Sequence, residues 1–151
     1  MNLLDEFFGI VKGLSAAGIR YAVVGGVAMA LHNQPRFTRD IDLLIHPDDA
    51  ARVAAALGPL GYFEASDPWT FANSQLTLRR YVKTEGEDHL VVDILIGAQP
   101  RHSQILDAAT DQPWSEGIVK VIRKEDLIWM KQQRGSDQDN VDIGKLQDDQ
   151  D

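Results

Sequence analysis

Residues 25 to 42 run Gly25-Gly26-Val27-Ala28-Met29-Ala30-Leu31-His32-Asn33-Gln34-Pro35-Arg36-Phe37-Thr38-Arg39-Asp40-Ile41-Asp42, and this stretch decides the reading of the chain. An apolar run, Tyr21-Ala22-Val23-Val24, precedes it, and a second run continues through Leu43, Leu44 and Ile45. Two glycines therefore stand between a short buried strand and a helix start. Two carboxylates, one residue apart, stand inside the next strand. Glycine lets backbone amides approach an anion closely, and a helix N-terminus favours negative charge. Alternate residues of a strand share a face, so Asp40 and Asp42 start about 6.6 Å apart on the same side. Carboxylates this close repel each other, which favours a shared divalent cation. Mg²⁺ or Mn²⁺ suits an all-oxygen donor set that also meets phosphate. The pattern points to chemistry on a nucleoside triphosphate.

Further along, Leu90-Val91-Val92-Asp93-Ile94-Leu95-Ile96 holds one acid in an otherwise apolar run. A lone carboxylate in a central strand is costly unless it is paired or ligating. If this strand neighbours Thr38 to Ile45, a spacing of about 4.8 Å brings Asp93 to the same cations as Asp40 and Asp42. Arg36, Thr38 and Arg39 precede the acids and are candidates for triphosphate oxygens, as is Lys131 near the C-terminus. No histidine or thiol set has zinc-ligand spacing. His32, His46, His89 and His102 form no pattern, and Trp69, Trp114 and Trp129 read as core or rim residues.

The surrounding pattern mixes helices and strands. Leu3, Leu4, Phe7, Phe8, Val11 and Leu14 recur at helical spacing, which predicts an amphipathic helix over 2–16 ended by Gly18. A helix is expected over 26–33, and another opens at Pro47-Asp48-Asp49 and stops at Gly58-Pro59. Residues 62–70 are ambiguous. Strands are expected over 75–82, 90–96 and, as an edge, 117–122. Short helices are expected over 104–109, 125–133 and 137–147. Without strict βαβ alternation the expected class is α+β, a mixed sheet flanked by helices. One domain over 1–147 with an acidic tail at 148–151 is the simplest division of 151 residues.

Composition narrows the function classes. The net charge is −8, and Asp137, Asp139, Asp142, Asp148, Asp149 and Asp151 crowd the C-terminus beside Lys145. An acidic chain is a poor general nucleic-acid binder, so no extended nucleic-acid surface is expected, although one RNA end at a local basic site is compatible. Asp139 and Asp142 read as structural, capping or pairing with basic groups such as Arg134. No apolar run is long enough to span a membrane, and acids at Asp5 and Glu6 do not suit a signal peptide. The absence of cysteine fits a cytoplasmic protein.

Gly25-Gly26, Asp40-Ile41-Asp42 and the later Asp93 strand together resemble the nucleotidyltransferase fold superfamily typified by DNA polymerase β. The pattern Arg36-Phe37-Thr38-Arg39-Asp40-Ile41-Asp42 is most similar to small prokaryotic members, the AbiEii-type toxins and minimal nucleotidyltransferase antitoxins. The tail from Met130-Lys131 through Arg134-Gly135 to Asp139, Asp142, Ile143 and Leu146 resembles the closing helices of the AbiEii-like group. The resemblance implies metal-binding and catalytic positions at Asp40, Asp42 and Asp93, and a triphosphate loop at Gly25 and Gly26. It implies transfer of a nucleoside monophosphate, with ATP as the expected donor, to a hydroxyl of a partner protein or RNA in a toxin–antitoxin or phage-defence setting. The alternatives are a small-molecule nucleotidyltransferase of the aminoglycoside or lincosamide type, and a non-catalytic nucleotide-binding or partner-binding module.

Overall fold

The computed structural model describes residues 1–31, 40–71, 74–114, 117–134 and 137–148. Arg36, Thr38 and Arg39, candidates for triphosphate contacts, lie outside the described residues. Helix α1 (Leu3–Ala16) starts where the Asn2 side chain accepts the amides of Leu4 and Asp5. It ends before Gly18, whose φ of +70° favours glycine. Strand β1 (Tyr21–Val24) runs directly into α2 (Gly25–Leu31), and β2 (Asp40–Ile45) follows. A 3-10 turn at Pro47–Asp49 leads into α3 (Ala50–Leu57). Then come β3 (Phe63–Glu64), β4 (Trp69–Phe71), β5 (Leu76–Glu85), β6 (Asp88–Gly97), α4 (Pro100–Ala108), β7 (Thr110–Trp114), β8 (Gly117–Val121), α5 (Lys124–Arg134) and α6 (Asp137–Asp148).

The eight strands form one sheet in the order β3-β5-β6-β2-β1-β8-β7, with β4 also pairing β5. β2 and β6 are parallel, and so are β1 and β8; β1 and β2, β5 and β6, and β7 and β8 are antiparallel. The sheet is therefore mixed and helices flank it, as the α+β reading expects. Ile41, Leu43, Ile45, Val92, Ile94 and Tyr81 share one face and are buried. Helix α1 covers that face. Its Glu6 accepts hydrogen bonds from Lys83, on the same side of β5 as Tyr81, and from Tyr62. Its buried Phe7, Ile10 and Leu14 supply the facing apolar stripe. Each such side chain contributes about 1.5–3 kcal/mol through burial.

Three expectations change. Residues 117–121 form an inner strand, because β8 pairs β1 through Val23 and Val121 as well as β7. The edge is β7, and it tolerates Pro113 because an edge position needs no ladder N–H there. The ambiguous 62–70 segment contains the short strands β3 and β4. Helix α4 starts at Pro100, earlier than residue 104, with proline in the first turn where its missing N–H is harmless.

Candidate active site

The opposite face of the sheet carries the acids. Val24 pairs with Asp42, Asp42 with Asp93, and Asp93 with Arg80. Directly opposed residues share a face. Four strands therefore place Val24, Asp42, Asp93 and Arg80 in one row, with Asp40 two residues along β2. Helices α4 and α5 shield the neighbouring part of this face. Leu127, Met130 and Lys131 of α5 line a small pocket with Val24, Gly25, Asp42 and Leu95, and His102 of α4 lies against Gly97. Asp40 remains exposed and Asp42 half-buried.

Gly25 is required by Asp42 itself. Its φ is +72°, and a Cβ there would lie 1.9 Å from Asp42 Oδ2 and 2.7 Å from its Cγ. The glycine thus does more than admit an anion: it leaves the space that the second acid occupies. Gly26 is buried within α2.

Asp93 solves its burial problem with a residue the sequence reading passed over. It is 7% exposed, and Arg80 donates to both of its oxygens, from Nε at 2.8 Å and from a terminal nitrogen at 3.0 Å. A bidentate charge-assisted pair is the strong form of this contact. The hydrogen bonds and charge of Asp93 raise the Arg80 pKa, burial opposes them weakly, and Asp40 and Asp42 add their charge. A sequence signal for the pair existed. Gly86, with φ +60°, takes the first central position of a two-residue turn that pairs Glu85 with Asp88. Counting back equally along both strands from that pair sets Arg80 opposite Asp93.

Lys131 lies elsewhere than a free phosphate cation would. It is 4% exposed, and its Nζ is 3.0 Å from Asp142 Oδ2 and 3.7 Å from Asp139 Oδ1. Asp139 and Asp142 are buried as well. They do pair with a basic group, as the sequence reading expects, and Lys131 is such a group. The lysine still reaches the wall of the pocket beside Gly25 and Asp42.

The donor set fits a hard divalent cation. Asp40, Asp42 and Asp93 offer only carboxylate oxygens on one face. Among the described residues no three acids or histidines are gathered at ligating distance. Both Asp93 oxygens accept from Arg80, and each keeps a second lone pair on which it could meet a cation beside Asp40 and Asp42.

The fold agrees with solved structures. A proposed nucleotidyltransferase from Thermotoga maritima aligns with a TM-score of 0.66 at 12% identity, over 97% of this chain and 93% of that one. The lincosamide antibiotic adenylyltransferase LnuA, bound to lincomycin, aligns with a TM-score of 0.58 at 16% identity, over 95% of each chain. The antibiotic-resistance factor ANT(2'')-Ia aligns with a TM-score of 0.59 at 14% identity, over 94% of this chain and 80% of that one. At these identities the likeness is one of fold. No curated protein sequence matches the chain at a significant level. No helix among the described residues is long and apolar enough to cross a membrane. Residues 1–132 match the family described as "Uncharacterised nucleotidyltransferase", and the chain, an enzyme of that class, belongs to this family.

Proposed function

We propose that this protein transfers a nucleoside monophosphate from a nucleoside triphosphate, with ATP as the leading donor, to an acceptor hydroxyl. The observation that carries the reading is the row Val24–Asp42–Asp93 with Gly25 cleared for Asp42, beside the exposed Asp40. Asp40 and Asp42 would hold Mg²⁺ or Mn²⁺, and Asp93 would orient the attacking hydroxyl. The chemistry supplied with a bound divalent ion is polarisation of the α-phosphate and stabilisation of an ionised hydroxyl. The acceptor oxygen bonds to the α-phosphorus while the bond from that phosphorus to the bridging oxygen breaks. Pyrophosphate leaves with the electron pair, and the hydroxyl proton goes to solvent. The chain contributes position and field.

Gly25 and Gly26, at the start of α2, are the proposed triphosphate loop, and Arg36, Thr38 and Arg39 are proposed triphosphate contacts. Lys131 supports the pocket wall on the same side, with its charge shared with Asp139 and Asp142. The motif resemblance at Gly25-Gly26, Asp40-Ile41-Asp42 and the closing helices favours a protein or RNA hydroxyl in a toxin–antitoxin or phage-defence setting. A second reading, a small-molecule acceptor, is favoured by the exposed rings of Phe63 in β3 and Trp69 in β4, which pair with β5 on the side away from β6. Two fold neighbours are named for antibiotics, as an adenylyltransferase and as a resistance factor, which keeps that class of acceptor in view.

The test is transfer of α-labelled triphosphate to acceptors in a cell lysate with Mg²⁺ or Mn²⁺. Label should move with the wild-type protein and stay on the triphosphate with Asp42→Ala. Transfer that persists in the variant discards the mechanism.

A further inference from the structure

The acid face does not end at Arg80. Leu78 and Val82 flank Arg80 on the same side of β5. Trp69 stands opposite Leu78, and Phe63 stands opposite Val82. Both rings therefore share the face of Asp42 and Asp93, on the outer side of β5, one at each side of Arg80. Phe63 is 67% exposed and Trp69 is 60% exposed, the two most exposed large hydrophobic side chains among the described residues. Phe71 props Trp69 from the same face, with ring centroids 4.6 Å apart. The pairs Arg79–Glu64 and Thr70–Thr77 lie on the opposite face. Trp69 is two strand spacings and two residues from Asp93, roughly 12 Å between Cα atoms.

We infer that Trp69 and Phe63 form the acceptor subsite, and that the acceptor is a small neutral or cationic alcohol carrying a flat or apolar ring. The inference rests on the transfer reading above. A ring seated on Trp69 places a hydroxyl on the far side of the molecule within reach of Asp93. The charge decides between acceptor classes. Beside the two rings this face presents Asp40, Asp42 and Asp93 against Arg80, and Lys131 farther along is held by its own acids Asp139 and Asp142. A polyanionic strand finds there a guanidinium already paired with Asp93, whereas phosphate neutralisation by cations drives its binding. An uncharged or positive ring gains the stacking surface without that requirement.

The experiment uses the full chain and three probe sets: aryl glycosides and aryl amino sugars, ring-free polyols, and a single-stranded RNA with a free 3′ hydroxyl. Label from α-labelled ATP should reach the aryl alcohols in preference to the other two. Trp69→Ala should raise the KM of the aryl acceptor about tenfold, the scale of one lost stacking contact, with the KM for ATP unchanged within about twofold. Trp69→Phe should restore most of the loss, and Phe63→Ala should show a smaller effect of the same kind. Quenching of tryptophan fluorescence by aryl glycosides should appear in Asp42→Asn and vanish in Trp69→Phe. That readout separates the two proposals: quenching in a wild-type protein that transfers nothing overturns the transfer reading and keeps the subsite. Absence of quenching, equal acceptor KM in wild type and Trp69→Ala, or label found only on RNA or protein overturns the subsite. So does a Trp69→Ala protein that sediments as a smaller species than wild type, since the rings would then be covered by a second copy.

Discussion

Asp40, Asp42 and Asp93 with Arg80, and Asp139 and Asp142 with Lys131, are two clusters of carboxylates around a cation in opposite surroundings. In the first, Asp40 is exposed and the Arg80 side chain is 45% exposed. In the second, the side chains of Lys131, Asp139 and Asp142 are 5%, 3% and 0% exposed. The open cluster keeps water on one side, so its charges can change partners at modest cost. The buried cluster cannot, because removing one member strands the others away from solvent. The difference teaches that acid content alone does not mark a ligand site. Solvent access is a further requirement, and of these two clusters the one on the sheet face has it, through Asp40 and Arg80.

Four variants and one change of pH test this contrast, from the largest effect down. Asp42→Ala should lower labelled-nucleotide transfer by about a thousandfold or more, the scale of losing a charge-stabilising group, with little change in the urea midpoint. A comparable fall in stability would make the open cluster structural. Lys131→Met should cost about 3–5 kcal/mol in urea unfolding, since Asp139 and Asp142 lose the cation between them. A near-neutral result would erase the distinction between the clusters. Gly25→Ala should cost about 1–3 kcal/mol, and transfer should fall with it, because the positive φ and the Asp42 carboxylate both oppose a Cβ. Arg80→Gln should cost about 1 kcal/mol, less than Lys131→Met because the guanidinium is half in water.

His102 supplies a control outside both clusters. Burial lowers its pKa, and Nδ1 accepts the amide of Gln99 at 3.1 Å. The fold holds it neutral, so as pH falls the unfolded chain takes up the proton first. Its contribution is complete above the unfolded pKa of about 6.5 and is lost as pH falls toward the lowered folded value, at a slope of no more than about 1.4 kcal/mol per pH unit. Urea midpoints should therefore drop between about pH 7.5 and 5.5, and His102→Gln should flatten that drop. An unchanged slope in the variant would assign the pH dependence to other groups.

Much of the site could be read along the chain. The Gly25-Gly26 pair, the Asp40/Asp42 alternation and the single acid of the 90–96 run are local patterns, and the parallel β2–β6 register brought the acids to one face as their spacing allowed. Arg80 was hidden because it sits at an ordinary polar position of an alternating strand, and only the hairpin register gives it Asp93. Lys131 was legible as a cation and not as a buried one, since helical spacing says nothing of which second helix will cover it. The sequence marks Trp69 only as a core or rim residue and leaves Phe63 unassigned, because strands of three and two residues carry too little periodicity to show a face.

By itself the sequence determined the alternation of apolar and acidic positions, the glycine pair and the mixed α+β class, because these follow from periodicity and backbone sterics within a few residues. The tertiary structure alone decided which charges meet. Ion pairs and shared faces depend on strand register and helix cover, and those are fixed by burial across the whole sheet, not by neighbours along the chain.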